Sequence, residues 1–506
     1  MTCKEKRKAK QDERDIKTAQ EILSGQVKIH YERPPKPAQA NRKGGCNNTE
    51  EENEYMVEQF VRLLSFILPA ILELLSAIED PRSPKKIKHS FATLMVYGIV
   101  IFLSHMSSRR AANRELAGDI SFEHLREYIP QLETMPHADT LNRLLIAIDP
   151  EGIEKSYGEI ILQFIRSGTF LKLNPSRALV VIDGTQKLSR NYCWDTNALG
   201  RNEGIPDKER YRAYTLESVL VLEDGTTMPL LTEILENEIY GKLDSKQKQD
   251  CEQKAFMRLT EKLMKLLGKG CVTVVLDGLY ATGPVISRCE AYGWDYMIAL
   301  KNGNLKTVWR DYEGLRKIEP ENILEVQWGD RSQIYQWSNS LEYIYGNNHK
   351  KLSLNLVVCN ESWLEMHPRS GGKPELKKSK YAWLSSEKLT PENVFKRCTK
   401  IARYRWRIEN NFLIEKHQGY NYSHCYSYDW NAMKGYHYLM KIGHFLNVLI
   451  THSSLIKEYV TCLGIRGFIK KVWILLTGGI HNSRANSLIK VPKAKISFCM
   501  FKLIPG

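Results

Sequence analysis

The sequence lacks several features that would assign it to common functional classes. None of its 11 cysteines belongs to a Cys-x-x-Cys pair, and the spacing of His417, His424 and Cys425 matches no familiar zinc site. The apolar stretch 60–78 is interrupted by charged residues and a proline, which argues against a membrane span. The basic first residues have no apolar signal-peptide core. We therefore expect a cytoplasmic protein with reduced thiols and no membrane partner.

Acidic residues are too few to balance the basic ones. Lys and Arg number 73 against 58 Asp and Glu, which gives the 506-residue chain a formal net charge of +15. Such an excess favours a polyanionic partner, and nucleic acid fits it better than a small acidic substrate. The chain is also longer than a single hydrophobic core usually supports, so two or three domains are expected.

Two short apolar runs each lead into an Asp-Gly pair. The first ends at Asp183 and the second at Asp277, and both runs are rich in β-branched residues. This pattern predicts two strands buried on both faces of a sheet, with each aspartate where its strand ends. A single Asp-Gly pair is more often just a turn. Two matched instances favour a functional pair, because ligands collect at strand ends in open α/β sheets.

A third carboxylate lies in the charged segment 404–416. If this segment is helical, Arg405, Glu409 and Lys416 point within about 40° of one another. Ile401, Ile408 and Phe412 would form an apolar stripe beside them. The plainer interpretation is an exposed i, i+4 ion pair, which stabilises a helix by about 0.2 to 0.5 kcal/mol.

Taken together, Asp183, Asp277 and Glu409 form a set of oxygen ligands. Such a set suits Mg²⁺ or Mn²⁺ and does not suit zinc. Two ions of this kind in one site can activate a water or a 3′-hydroxyl and stabilise the oxygen that leaves phosphorus. The three residues are therefore candidate metal ligands and catalytic residues for phosphodiester chemistry.

These residues resemble the bacterial insertion-sequence DDE transposases, whose signature is Tyr-x-x-Arg-x-x-x-Glu-x-x-x-x-x-x-Lys. The arginine, glutamate and lysine of the signature fall on Arg405, Glu409 and Lys416, whereas its tyrosine position falls on Ala402. Tyr404 lies two residues later and would point about 200° away from Ala402 on a helix. The resemblance spans roughly residues 177–451 and implies that Arg405 and Lys416 hold phosphates of the element end.

The expected fold is α/β, with an RNase H-like catalytic core interrupted by a β-rich insertion and preceded by a helical N-terminal domain. The order strand, hairpin, helix, strand, helix, strand after residue 177 supports this interpretation, which the resemblance also implies. The expected domains are a loosely ordered basic tail (1–54), a helical, DNA-binding domain (55–170), the first part of the core (171–304), the insertion (305–388), the catalytic-helix part of the core (389–453) and a basic C-terminal region (454–506).

The sequence thus predicts a DNA transposase that cuts element ends and joins the 3′-hydroxyl to target DNA. Two alternatives keep the fold, namely an inactive transposon-derived DNA-binding protein and a structure-selective nuclease. Further candidates for DNA contacts are Tyr404, Arg407, Arg110 and Arg114, although a solvated basic face explains the last two equally well. Because transposition holds two ends together, a homodimer is expected in the DNA-bound complex.

Overall fold

The computed structural model describes residues 29–32, 49–116, 119–166, 177–202, 209–222, 225–237, 250–366, 374–453 and 455–478. These residues fall into two compact units. The larger unit contains the described residues within 39–276, 287–295 and 403–506, and the smaller unit contains those within 1–38, 277–286 and 296–402. Most of the predicted N-terminal tail and the last 28 residues of the predicted basic C-terminal region lie outside the described residues.

The larger unit begins with a helical region, as predicted. Its first helix starts with a capping box, in which Thr49 and Glu52 satisfy each other's backbone N–H groups. The helices are α1 (Glu50–Leu75), α2 (Phe91–Leu103), α3 (Arg109–Leu116), α4 (Asp119–Tyr128), α5 (Ala138–Ala147) and α6 (Pro150–Arg166), with a 3₁₀ turn at Pro84–Lys86.

Helix α1 is long and apolar enough to cross a membrane, judged by length and composition alone. In the structure most of its apolar residues, among them Phe60, Leu64 and Ile71, are buried, whereas Phe66 is exposed. The helix packs against α2, α6 and a C-terminal helix, Lys457–Gly478. This burial is what we expected of a core helix within the N-terminal domain.

The helix Trp430–Thr451 runs through the centre of the helical part and is buried along nearly its whole length. It crosses α2 closely, and glycines make the approach possible. A Cβ on Gly443 would lie 2.8 Å from Phe102 Cβ and 3.2 Å from the backbone nitrogen of Leu103. Only a residue without a side chain fits there.

We expect Gly443→Ala to lower the free energy of unfolding by about 1 to 3 kcal/mol, because the added methyl must push two helix backbones apart. Gly467→Ala is the matched control, since its Cβ would meet only Leu463 Cβ at an ordinary 3.6 Å. The control should be neutral or gain up to about 1 kcal/mol of helix propensity. Chemical denaturation of both variants checks this, and equal stabilities would contradict the close crossing.

The sheet of the larger unit contains β2 (Ala178–Arg190), β3 (Leu199–Asn202), β4 (Glu209–Val221), β5 (Thr227–Leu235) and β6 (Val272–Leu276). Strand β6 runs parallel to β2, β2 is antiparallel to β4, and β4 pairs with both β3 and β5 in antiparallel fashion. This confirms the predicted antiparallel start and the return of a parallel strand. Strand β3 was not predicted. Helix α7 (Glu252–Leu267) packs on this sheet, and the start predicted for it at residue 245 lies outside the described residues.

Strand β2 corrects one expectation. Asp183 and Gly184 do not end the strand, because pairing with β4 continues through them to Arg190. The ladder with β6 covers only Ala178 to Val181, paired with Val272 to Val275. Asp183 therefore lies inside a long strand, two residues beyond the last pair of the parallel ladder.

The smaller unit is dominated by antiparallel strands. Its strands are β1 (Ile29–Tyr31), β7 (Asp295–Ala299, which begins in the larger unit), β8 (Ile323–Trp328), β9 (Arg331–Tyr345), β10 (Lys350–Met366) and β11 (Pro374–Ser385). Strands β8 to β11 pair antiparallel in chain order, β1 is parallel to β8, and β11 pairs with β7. The predicted β-rich character of this segment is confirmed.

Helices α8 (Gly283–Ala291) and α9 (Lys306–Leu315) flank β7 in the chain. The predicted catalytic helix is irregular at its start, with a turn at Val394–Lys396, a π-helical turn at Arg397–Ile401 and a 3₁₀ turn at Ala402–Arg405. The regular α-helix, Trp406–His417, follows, and we call it the signature helix. Ile408 and Phe412 on it are buried, as expected.

Seven cysteines are free among the described residues, of which Cys289, Cys359 and Cys398 are buried. Cys462 is disulfide-bonded. The expectation of reduced thiols is therefore wrong for this residue.

Candidate active site

Asp183 presents its carboxylate on the face of β2 that the signature helix covers. The backbone N–H of Gly184 donates to Asp183 Oδ1 at 2.9 Å, and the side chain is only 22 % exposed. Side chains alternate between the two faces along a strand, so Thr185 lies on the same face as Asp183. This face is where the charged residues of the signature segment arrive.

Arg405 joins two of the predicted carboxylates. Its Nη1 lies 3.6 Å from Asp183 Oδ2, and its Nη2 donates to Glu409 Oε1 at 3.1 Å. The guanidinium is only 14 % exposed and lies 4.2 Å from the centre of the Trp406 ring. Arg405 thus makes the i, i+4 pair expected of a plain helix and also reaches across to β2, which the plain interpretation does not predict.

Lys416 reaches the same strand from the other end of the signature helix. Its Nζ donates to Thr185 Oγ1 at 2.6 Å. Burial of the ammonium lowers the pKa of Lys416, although the negative charges of Glu415 and Glu217 oppose the shift. Asp183, Arg405, Glu409 and Lys416 therefore lie together on one side of β2.

Asp277 belongs to the smaller unit and follows directly after β6 in the chain. Its Oδ1 accepts a hydrogen bond from the backbone N–H of Leu279 at 2.7 Å, which caps the 3₁₀ turn Gly278–Tyr280. Lys301 Nζ lies 3.4 Å from the same oxygen. The half-exposed carboxylate is oriented by a backbone turn and lies beside a cation.

The remaining candidates for DNA contacts occupy two places in the larger unit. The Arg407 guanidinium lies 5.4 Å from the centre of the Tyr404 ring and packs against Gly225, in the turn that leads into β5. Arg110 lines a cleft of about 600 Å³ beside α3, together with Arg109 and His137. Arg114 pairs with Glu115 at 3.0 Å on an exposed surface.

Two residues of this region escaped the sequence interpretation. Thr185, which holds Lys416, comes two residues after Asp183 and so shares its face, a signal that strand periodicity could have supplied. Lys301, which pairs with Asp277, comes two residues after β7 ends, and no motif distinguishes it.

Two segments of the chain match known protein-family models. Residues 252–446 match the family model described as Transposase DDE domain, and residues 72–160 match the model described as DDE_Tnp_1-associated. These matches support a DDE transposase family. A search of curated proteins found no match. The segment 252–446 contains Asp277, Arg405, Glu409 and Lys416. Asp183 lies between the two matched segments.

DDE transposase domains generally use divalent metal ions, so the donors can be tested against that requirement. The carboxylates of Asp183 and Glu409 offer oxygen atoms only, which fits a hard cation such as Mg²⁺. The Arg405 guanidinium contacts both carboxylates. Within the described ranges, no group of three or more His, Cys, Asp or Glu is recognised as a metal cluster by geometry.

Ala402 occupies the tyrosine position of the signature and is buried, at 2 % exposure. Tyr404 is half-buried under Arg407 and does not fill that position. The DDE transposase family match therefore comes with one departure, which affects a predicted DNA contact and leaves the carboxylates intact.

Proposed function

We propose that this chain is a DNA transposase that cleaves the ends of an insertion element and joins each 3′-hydroxyl to target DNA. The observation that carries the proposal is Arg405, which contacts both Asp183 and Glu409 while Lys416 is held on the same strand. The match to a Transposase DDE domain gives this arrangement its reaction class.

We assign Asp277 to the same site as Asp183. Its support is the register of β2 and β6, in which Val181 lies opposite Val275, so that each aspartate is the second residue after its paired valine. Strands β5, β4, β2 and β6 neighbour one another in that order, with α7 preceding β6 in the chain. This order supports an RNase H-like core, with the β-rich segment 305–388 as its insertion.

Asp183, Asp277 and Glu409 would hold two Mg²⁺ or Mn²⁺ ions. Bound there, the ions would activate the attacking water or 3′-hydroxyl and stabilise the oxygen that leaves phosphorus. Arg405 orients the Asp183 and Glu409 carboxylates toward each other and offsets part of their repulsion before DNA arrives. Lys416, held by Thr185, supplies a fixed cation for a phosphate of the element end.

DNA contacts away from the carboxylates would come from Tyr404, Arg407, Arg110 and Arg114. The net charge of +15 supports binding that weakens steeply with salt. Because two element ends react together, we propose a homodimer in the DNA-bound complex. A cytoplasmic location with access to the nucleoid follows from this proposal.

A strand-joining assay tests the function. Purified protein, a DNA duplex carrying the terminal repeats that flank the reading frame, a supercoiled target and Mg²⁺ should yield joined products. EDTA should abolish them. Cleavage of branched DNA without joined products would instead identify a structure-selective nuclease.

One specific observation favours the inactive DNA-binding alternative, namely the buried Ala402 in the tyrosine position. That alternative predicts selective binding to terminal repeats with no cleavage under Mg²⁺ or Mn²⁺. The same assay separates the two, because binding and joining are read on the same DNA.

A further inference from the structure

Behind the carboxylates, the larger unit contains a buried ionic triad formed by Glu217, Lys441 and Glu415. Lys441 Nζ lies 2.9 Å from Glu217 Oε2 and 2.9 Å from both carboxylate oxygens of Glu415. All three side chains are at most 2 % exposed. The triad connects β4, the helix Trp430–Thr451 and the signature helix.

The carboxylate oxygens of the triad also have polar partners other than Lys441. Glu217 accepts hydrogen bonds from the hydroxyls of Tyr422 at 2.7 Å and Thr232 at 2.6 Å. His444 Nδ1 lies 2.8 Å from Glu415 Oε1. Burial alone would raise the pKa of Glu217, but the Lys441 ammonium, His437 and these hydrogen bonds outweigh it and lower the pKa to about 2.

A cluster of this kind is a weak source of stability. Replacing a buried ion pair or triad with neutral residues of similar shape is often neutral or stabilising, because ions lose their hydration when buried. Such a cluster can instead select one packing arrangement of the elements that carry it among several. The contacts of the signature helix indicate that the feature selected here is the rotation of this helix.

Apolar and polar contacts together fix the rotation of the signature helix. Ile408 and Phe412 are buried on the same face as Asn411 and Glu415, whereas Leu413 is 54 % exposed. The two buried polar residues therefore need hydrogen-bonding or charged partners on that face. Those partners are Thr227 for Asn411, at 3.2 Å, and Lys441 for Glu415.

Glu415 is also the residue next to Lys416. Each residue advances a helix by about 100°, so a small rotation at Glu415 would move Lys416 away from Thr185. On the sheet side, Glu217 lies opposite Asp183 in the β2–β4 ladder, and Thr185 lies opposite Thr215. The triad therefore links the strand pair that carries Asp183 to the helix that carries Glu409 and Lys416.

We propose that Glu217, Lys441 and Glu415 are positioning residues that fix the rotation of the signature helix over β2, and thereby set Arg405, Glu409 and Lys416 against Asp183 and Thr185. The catalytic part of this statement rests on the proposed function. The structural part does not, because the orientation of the helix can be measured without DNA.

The key variant is the charge-free triple replacement Glu217→Gln, Lys441→Met and Glu415→Gln. It removes all three charges and nearly keeps side-chain size, and each glutamine retains one acceptor oxygen. A second variant, Glu415→Gln alone, leaves the Glu217–Lys441 pair intact and is the one to read if the triple variant does not fold.

The larger unit offers a matched control in a second Glu–Lys–Glu cluster. Lys262 Nζ lies 2.8 Å from Glu154 Oε2 and 2.9 Å from Glu233 Oε2, and this cluster joins α6, α7 and β5. No member lies on the signature helix. Glu154→Gln therefore removes the charge of a buried glutamate of the same kind and leaves the Glu217–Lys441–Glu415 triad unchanged.

Hydrogen exchange of the segment 406–417 and DNA cleavage at saturating DNA are the two measurements. In the triple variant we expect exchange to accelerate about tenfold or more, and the cleavage rate constant to fall about 10- to 100-fold. The dissociation constant for DNA should change less than about threefold, since most of the basic surface is untouched. Glu415→Gln should accelerate exchange at least about threefold, and Glu154→Gln should change neither quantity.

Wild-type exchange of this segment in a folded triple variant overturns the positioning role, and so does wild-type exchange in Glu415→Gln if the triple variant is unfolded. If the triple variant exchanges faster but cleaves DNA at the wild-type rate, the triad only stabilises the helix. That result also overturns the positioning role. If the wild-type protein cleaves no DNA, the proposed function is refuted. Hydrogen exchange of the segment 406–417 still tests whether the triad holds the signature helix.

Discussion

Asp183→Asn is expected to reduce the rate of DNA strand cleavage by about 10³-fold or more. The amide keeps the shape of the side chain but removes the negative charge that would hold a divalent ion. The loss of several kcal/mol of charge stabilisation corresponds to at least three powers of ten in rate. Asp277→Asn and Glu409→Gln should have effects of the same order, because three ligands that act as a unit are not additive.

Binding to the same DNA should survive these replacements. Each removes a negative charge beside a cation, so affinity for the phosphate backbone should stay equal or rise slightly. Asp311→Asn is the control, because Asp311 lies on α9 and its carboxylate forms an exposed pair with the neighbouring Arg310 at 3.3 Å. The measurement is single-turnover cleavage with a parallel binding titration. An Asp183→Asn protein that joins DNA at the wild-type rate would refute the assignment.

The pattern of residues predicted the elements that depend on local information. The helical region, the β4–β5 hairpin and strand β6 could be placed because their apolar periodicity and breaks are short-range signals. The carboxylate, arginine and lysine of the signature segment were likewise found from helical spacing. The local patterns did not predict which strands pair with partners that are distant in sequence.

Asp183 shows why local signals fail. An Asp-Gly pair usually ends a strand, but here β4 supplies backbone partners on both sides of Asp183 and carries the strand on to Arg190. Nothing in residues 177–190 encodes that partner, which lies some 30 residues away. The strand end that was expected belongs only to the ladder with β6.

The buried triad was unpredictable for the same reason. Glu217, Glu415 and Lys441 are far apart in sequence, and each alone resembles a surface charge. Their burial becomes sensible only once the three elements are packed and every ion has its partner. Sequence spacing could predict the residues of the candidate site, but not the buried triad that the signature helix shares with β4 and the helix Trp430–Thr451.

Removing Lys441 alone should be far more damaging than removing the whole triad. Lys441→Met leaves Glu217 and Glu415 buried without their shared counter-charge, and we expect the free energy of unfolding at pH 7 to fall by about 3 to 5 kcal/mol. Lys262→Met is the control from the second cluster. Its lysine is 37 % exposed and Glu233 keeps Arg258 as a partner, so a smaller loss is expected even though the buried Glu154 loses the Lys262 ammonium.

The dependence on pH separates this effect from a simple packing defect. In the wild type, the pKa of Glu217 is about 2, below its unfolded value of 4.5, and that of Glu415 is also lowered. The triad's contribution is therefore complete above about pH 4.5 and is lost as the pH falls toward 2. His437, His444 and Lys187 face the same cluster in both proteins.

In Lys441→Met the sign reverses. Burial without the ammonium raises the pKa of the two carboxyl groups above 4.5, so the penalty is greatest at neutral pH and shrinks as they take up protons. The stability difference between wild type and variant should then narrow between pH 7 and pH 5. Urea denaturation at both pH values, in EDTA so that metal binding plays no part, measures it. A constant difference would mean that the lost methylene packing, and not the two unpaired charges, sets the cost.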